Sequence, residues 1–435
     1  MRRVLMISYY FPPLGGIASV RAVKFARYLP EFGWDPVVIT PRNGAYFRDP
    51  TLEFDERKIV RTPSLEISRT AKRMIGSTRG DTRPAEVGPM MERVRRFAAR
   101  WVYRPDAQVG WYPFALASAR RALREGRCDA ILSSSFPITA HLVGRRLHRD
   151  SQIPWVAEFR DLWTDLSRYD SQRRRRFDEA TERELLTTAT DVVTVSESYA
   201  KLLSDRGARG VSVITNGFDP ADFRGTPRAG RSLATYVGTY YPDRQDLRTV
   251  LQTLGRLIQS GLLSEFGMRF VGDFPETLRE TLVQAGLSNA VECTGFVPHR
   301  EALGYIEDST LLLLAGPVSG AFSGSKVRGN IASKVFEYLG SRRPILYVGE
   351  ADSDVERILR RFAGVACVRP GDAKGTEEAI LRLVRQEPTV HRGLLDVYTW
   401  RSLTGQLARI LDAASSRTVP SSAPFVTPPR GGCSS

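Results

Sequence analysis

Short apolar runs punctuated by glycine and proline alternate with helical patterns along this chain, and the alternation starts twice. The first round opens with the run Arg3–Ser8 and is broken by Tyr9-Tyr10-Phe11-Pro12-Pro13-Leu14-Gly15-Gly16. A helical pattern over Ala18–Leu29 and a second run at Trp34–Thr40 follow. Further runs lie at Asp129–Ser133, Pro154–Phe159, Asp191–Ser196 and Val211–Ile214, with helical stretches such as Ala115–Arg124 and Pro137–Leu147 between them. The second round restarts at Leu233–Gly238 and passes through Met268–Gly272, Val291–Phe296 and Leu311–Leu314. Strands separated by helices build parallel sheets covered on both faces, so this order predicts an α/β chain of two doubly wound domains. The 435 residues are enough for two such cores. Asn216-Gly217 is good turn chemistry and divides the rounds, giving an expected first domain over 1–217 and a second over 218–398. A last helix opening at Trp400 is placed within 399–414, and the Ser-, Pro- and Gly-rich stretch 415–435 is expected to be disordered.

Ligands of doubly wound sheets bind beyond the C-terminal ends of the strands, so the residues that follow each run are the candidates. Gly15 and Gly16 let backbone amides approach a ligand at a helix N-terminus, where partial positive charge favours phosphate; a plain turn is the competing reading. Arg21 and Lys24 lie a turn apart on the helix that follows and are expected to face the same cleft. Arg160 and Asp161 come just after a strand end, either as cleft residues or as an internal ion pair. In SKVFEYLGSRRPIL, Ser333–Leu346, the stripe Val335, Phe336 and Leu339 predicts a helix with Gly340 as its C-cap. Pro344 stops that helix before the strand Ile345–Val348. This sets Lys334 and Glu337 at a helix–strand junction, as an anion site with a carboxylate for hydroxyls, or else as the surface of an ordinary amphipathic helix. Asp352-Ser353-Asp354 with Glu356 reads as a capping box for the next helix and not as a metal site. His141 falls on a helix and reads as packed.

Charge adds a partner class. The net charge of +15 comes from arginine clustered at Arg93–Arg104, Arg120–Arg127 and Arg173–Arg176, which suits anionic membranes, nucleic acid or phosphorylated substrates. Met91, Val94, Phe97, Ala98, Trp101 and Val102 share one helical face, with Arg93, Arg95, Arg96, Arg100 and Arg104 on much of the rest. Such a helix either docks on a membrane surface or packs on its own domain. The Arg173–Arg176 helix lacks interleaved aromatics, which argues against nucleic acid. No apolar run approaches the roughly 20 residues that span a bilayer. Met1–Ile7 has too short an apolar core for a signal peptide. Cys128, Cys293, Cys367 and Cys433 show no metal-ligand spacing and read as reduced cytoplasmic thiols.

Four stretches occur in one order: FPPLGGIASVRAVKFARYL, SSSFPITAHLVGRRLHRDSQIPWVAEFRDLWTD, Asn216-Gly217-Phe218-Asp219-Pro220 and SKVFEYLGSRRPIL. Together they resemble the motifs of retaining family 4 glycosyltransferases, especially bacterial exopolysaccharide and lipid-linked glycan enzymes, and the resemblance runs to about Ala414. It implies the GT-B fold, two facing Rossmann-like domains with a C-terminal crossover helix. The implied reaction moves a sugar from a nucleotide-diphosphate donor to a glycan or polyprenyl-linked acceptor with retention, needing no metal and no other cofactor. Carried onto this sequence, Gly15, Gly16, Arg244, Lys334 and Glu337 would hold the donor, with Glu337 on its ribose, and Arg160 and Asp161 would be catalytic. The implied location is cytoplasmic, peripheral on the inner face of the plasma membrane, with no nucleic-acid partner. The chain departs from the family pattern at several places. Gly329 stands where the Glu-x7-Glu motif has its first Glu, and Ser134 where many members have His. Thr239 and Gln245 replace the usual phosphate-clamping Arg and Lys, leaving Arg244, Lys326 or Lys334 as substitutes. The Gly- and Ser-rich stretch Gly316–Asn330 is expected to cover the substrate. Two other readings stay open, a nucleotide-sugar epimerase of the same fold and a basic noncatalytic membrane- or nucleic-acid-binding protein.

If the basic helix docks on lipid, changing Arg93, Arg95, Arg96 and Arg100 together to Gln removes attraction of about 1 kcal/mol per charge. Co-sedimentation with anionic vesicles at low salt should then drop sharply. Unchanged sedimentation would remove this helix from the account.

Overall fold

The computed structural model describes residues 1–42, 44, 46, 48–65, 104–165, 169, 171–223, 232–288, 290–318, 328–385 and 392–417. The loop expected over Thr70–Pro89, the basic helix up to Tyr103, the linker residues 224–231, Lys326 and the tail from 418 lie outside the described residues.

In the first domain the strands are β1 (Arg2–Ser8), β2 (Trp34–Pro41), β3 (Ile59–Thr62), β4 (Ala130–Ser135), β5 (Trp155–Phe159), β6 (Asp191–Thr194) and β7 (Val211–Val213). The helices between them are α1 (Ile17–Tyr28), α2 (Tyr112–Glu125), α3 (Thr139–Ser151), α4 (Gln172–Thr188) and α5 (Glu197–Asp205). The strands pair in parallel in the order β3-β2-β1-β4-β5-β6-β7. The second domain has β8 (Leu233–Val237), β9 (Gly267–Val271), β10 (Val291–Gly295), β11 (Leu311–Ala315), β12 (Ile345–Val348) and β13 (Val365–Val368). Its helices are α6 (Arg248–Gln259), α7 (Glu276–Gln284), α8 (His299–Glu307), α9 (Lys334–Ser341), α10 (Asp354–Leu359), α11 (Ala373–Val384) and α12 (Arg392–Asp396). The sheet order is β10-β9-β8-β11-β12-β13, also parallel. Each order reverses beside its first strand, so each sheet has a crevice at the C-terminal ends of its strands.

Central strands are buried on both faces, as a helix-covered parallel sheet requires; every residue of β5, β8, β9, β11 and β12 is buried. The last helix, α13 (Trp400–Arg417), runs back to the first domain and continues past the expected 399–414. Leu403, Leu407, Leu411 and Ala414 join Val4, Met6, Val23 and Ala26 in one core, and Trp400 meets Phe25 edge-on at 5.8 Å. The chain passes between domains twice, and the two crossings touch: Phe218 N–H donates to Tyr398 O at 3.1 Å and Trp400 N–H to Phe218 O at 2.9 Å.

Two expectations are corrected. Gly340 is not the C-cap of α9; Arg342 takes the left-handed cap conformation at φ 61°. Gly340 is needed for closeness instead, because a Cβ there would lie 2.5 Å from the Phe218 ring. Arg21 and Lys24 do not face the cleft. They are buried under the interdomain passage, where they bind its carbonyls and carboxylates. Arg21 donates to Ile214 O, Thr215 O and Glu158 Oε1 at 2.9, 2.6 and 2.8 Å. Lys24 Nζ donates to Asp219 and Asp222, each at 2.7 Å, and Tyr28 donates to the same Asp219 oxygen. Burial alone would raise the Asp219 carboxyl, but Lys24 and Tyr28 outweigh it and hold it below its ordinary range.

Removing one partner of a buried ion pair strands the other charge. Lys24→Met should cost about 3 kcal/mol in urea unfolding, and adding Asp219→Asn should restore part of the loss. An unchanged midpoint for Lys24→Met would show that the passage does not depend on this contact.

Candidate functional site

The C-terminal ends of the two sheets face one another across a cavity of about 580 Å³. Its walls are the residues that follow strands: Gly16 after β1, Arg160 and Asp161 after β5, Gly238 after β8, Gly272 after β9 and Val297 after β10. Lys334 and Glu337 enter from the first turn of α9, and Arg244 from the loop before α6.

The second-domain wall is built on two close glycines. Gly238 has φ 103° and Gly272 φ 127°, and a Cβ on Gly272 would stand 2.9 Å from the Gly238 carbonyl. Gly238 also leaves room for the N-terminus of α9, since a Cβ there would lie 3.6 Å from Lys334 Nζ. Lys334 Nζ donates to Val237 O at 2.9 Å and sits 3.8 Å over the Tyr236 ring, while Val237 N–H donates to Tyr338 Oη at 2.9 Å. Enclosure disfavours the ammonium more than Glu337 helps it, and pulls the Lys334 pKa down to about 7. Glu337 Oε1 accepts from His299 Nε2 at 2.7 Å. Burial opposes a charged His299, but the Glu337 carboxylate, helped by Asp222 and Asp49, lifts its pKa above the ordinary value. The His299 backbone N–H also reaches Asp49 Oδ2 of the first domain at 3.4 Å, so this pair lies at the domain junction. Arg244 lines the cleft with its side chain 43% exposed and its guanidinium 5.5 Å from the Tyr241 ring centre.

On the opposite wall, Arg160 donates from Nε to Ser134 Oγ at 3.0 Å and from a terminal nitrogen to Phe136 O at 3.1 Å. Ser134 donates in turn to Glu158 Oε2 at 2.5 Å. The protein around Arg160 lowers its pKa from the usual high value. Asp161 opens to the cleft, yet enclosure by the walls raises its carboxyl against the pull of Arg160. Gly16, at φ 84°, caps α1 with its carbonyl, which accepts from Ser19 and Val20 N–H, and it lines the cleft. Gly15 is buried behind it and outside the lining.

Thus Gly16, Arg160, Asp161, Arg244, Lys334 and Glu337 meet in one cleft, although they come from both halves of the sequence. Sequence reasoning missed His299 and Asp49. His299 carried a usable signal, since it follows a strand end and begins a helix, the position at which sites form. Ser353 Oγ accepts from Glu356 N–H at 3.2 Å and Glu356 reaches back to Asp352 N–H at 2.8 Å, so that triplet caps α10. His141 is fully buried, bonded to Ser133 Oγ at 2.8 Å. Among the described residues no helix is long and apolar enough to cross a membrane.

Residues 15–222 match the family model of Glycosyltransferase Family 4. No curated protein sequence matches the chain. Among solved structures, it resembles sucrose-phosphate synthase from Thermosynechococcus elongatus, at 15% identity and TM-score 0.59 over 95% of this chain and 100% of that one. The Anabaena HepE protein, solved in complex with UDP and glucose, is similar at 14% identity and TM-score 0.55 over 96% and 98%. A UDP-forming α,α-trehalose-phosphate synthase from Burkholderia xenovorans, in complex with glucose-6-phosphate, is similar at 11% identity and TM-score 0.59 over 94% and 100%. At these identities the likeness establishes the GT-B fold.

A Lys334 largely neutral at pH 8 should take up close to one proton when a diphosphate arrives beside it, because the anion favours the ammonium. Calorimetric titration of a bound nucleoside diphosphate at pH 8, in two buffers of different ionisation heat, measures this uptake. Lys334→Met should abolish it. Equal heats for the parent in both buffers would mean that Lys334 does not meet the phosphates.

Proposed function

We propose that the chain is a glycosyltransferase of the family 4 type on its GT-B fold, moving a sugar from a nucleoside-diphosphate donor to a hydroxyl of a glycan or lipid-linked acceptor with retention of configuration. One observation carries the reading. Lys334 and Glu337 of the second domain stand in the same cleft as Gly16, Arg160 and Asp161 of the first, which is a cation and a carboxylate on the donor side facing a polar wall.

In this reading Lys334 and Arg244 take the diphosphate, and Gly16 leaves its loop without a side chain between backbone and ligand. Lys334 is held by the Val237 carbonyl and the Tyr236 ring, so it is pre-positioned and needs no reorganisation as charge grows on the leaving phosphate. Glu337 takes the ribose hydroxyls, and His299 orients its carboxylate through the 2.7 Å bond. In the transfer step the bond between the anomeric carbon and the donor phosphate oxygen breaks. A bond to the acceptor oxygen forms on the same face, and the acceptor proton passes to the departing phosphate oxygen. The protein supplies alignment and stabilisation of the anion. Arg160 and Asp161 face the reacting centre from the first domain. No residue here is assigned to a metal. A role in cell-surface polysaccharide synthesis, on the inner face of the plasma membrane, fits the basic charge of the chain and the lipid-linked acceptor class.

A thermal-shift panel of nucleoside diphosphates, with UDP and GDP first, tests the premise, since a ligand of the folded state raises its melting temperature. Charge-assisted bonds to two ribose hydroxyls contribute about 1.5–3 kcal/mol each. Gln still accepts both bonds but loses the charge assistance, about 1 kcal/mol per bond, so Glu337→Gln should weaken the matching diphosphate about ten- to a hundredfold in calorimetry. Asp352→Asn, at a helix cap, should leave affinity unchanged. The reverse pattern would move the donor elsewhere.

A further inference from the structure

Tyr199, in the first turn of α5, is 1% exposed and lines the cleft. Its hydroxyl has no hydrogen-bond partner among the described residues. A buried hydroxyl without a partner loses its water and gains nothing in return, so its retention points to a ligand. The ring is fixed from both domains. A Cβ on Gly329 of the second domain would lie 2.4 and 2.6 Å from two of its ring carbons, so the phenol fills the space that any side chain at 329 would need. Its own amide donates to Ser196 Oγ at 3.3 Å. The next residue back, Ser198, donates from its amide and hydroxyl to the Asp354 carboxylate of the second domain, at 2.9 and 3.1 Å.

The surroundings select the chemistry of that ligand. Burial, then the nearby charges of Asp161, Asp165 and Asp354, push the phenol's pKa upward, so it remains an O–H donor at neutral pH. Asp165 is paired with Arg206 and Asp354 with Arg357, and Asp161 lies beside Arg160, so the charge around the phenol is largely balanced and leaves little net attraction for a phosphate. A neutral ring hydroxyl fits, because it accepts one hydrogen bond and donates another.

We propose that Tyr199 and Asp161 form the subsite for the transferred sugar, with one ring hydroxyl accepting from the Tyr199 phenol and donating to the Asp161 carboxylate. The proposal rests on the glycosyltransferase reading. Tyr199 and Asp161 line the same cleft as Lys334 and Glu337, which is where a sugar joined to the diphosphate would lie.

The test titrates the parent and Tyr199→Phe with UDP, GDP, UDP-glucose and GDP-mannose. With whichever base binds, Tyr199→Phe should hold the bare diphosphate as the parent does and the sugar nucleotide about tenfold more weakly. Its melting temperature should stay level or rise, since an unpaired hydroxyl has been removed. Asp161→Asn should lose the same sugar-dependent increment. Equal sugar-nucleotide affinity in Tyr199→Phe and parent overturns the subsite, as does a parent that binds neither sugar nucleotide better than its bare diphosphate. Parallel loss of diphosphate and sugar nucleotide also overturns it, by making Tyr199 structural. A parent that binds neither diphosphate fails the glycosyltransferase reading itself, which is a separate result.

Discussion

The cleft depends on how helix α1 grips the chain where it leaves the first domain. Arg21 closes over the carbonyls of Ile214 and Thr215, and Lys24 over the carboxylates of Asp219 and Asp222. These cations are buried, and a buried cation has to be paired, so the passage cannot wander without stranding charge. The returning chain is fastened beside it through Phe218, Tyr398 and Trp400, and α13 then seals the first core. With both crossings tied together at one edge, the two sheets present their C-terminal strand ends to each other. Everything in the site follows from that presentation.

The same anchor reaches into the cleft. Glu158 takes Arg21 on one oxygen and Ser134 on the other, and Ser134 carries Arg160. A connected chain of polar groups, buried at Arg21 and Glu158 and half-buried at Ser134 and Arg160, thus runs from the interdomain passage to a cleft guanidinium. Each member is satisfied by the next, which is how such networks hold geometry in a low-dielectric interior.

Across the cleft the charges divide. Lys334, with the Glu337 carboxylate beside it, and Arg244 line the second-domain side, while Asp161, Asp165 and Asp354 lie around Tyr199. The sugar nucleotide proposed as donor has a comparable division, with its anion in the middle and neutral hydroxyls at its sugar. Glycine makes the fit possible at two contacts of different kinds. Gly238 and Gly272 let strand ends approach at positive φ, and Gly329 leaves room for a ring from the other domain.

Much of this was readable along the chain. The switch between apolar runs and helical periods marked both sheets, and the rule that doubly wound sites follow strand ends picked out Gly16, Arg160 and Asp161, with α9 supplying Lys334 and Glu337. Those signals are local, because period and turn chemistry are set by neighbours in sequence. What only the tertiary structure decided was which charges are free to meet a ligand. Arg21 and Lys24 looked like cleft cations, but their partners are Glu158, Ile214, Thr215, Asp219 and Asp222, far along the chain. His299 on Glu337, Tyr199 on Gly329 and Arg342 as the cap of α9 were likewise hidden. Pairing and steric fit depend on what folds against a residue, and a one-dimensional pattern carries no distance between segments that meet only when the two sheets face each other.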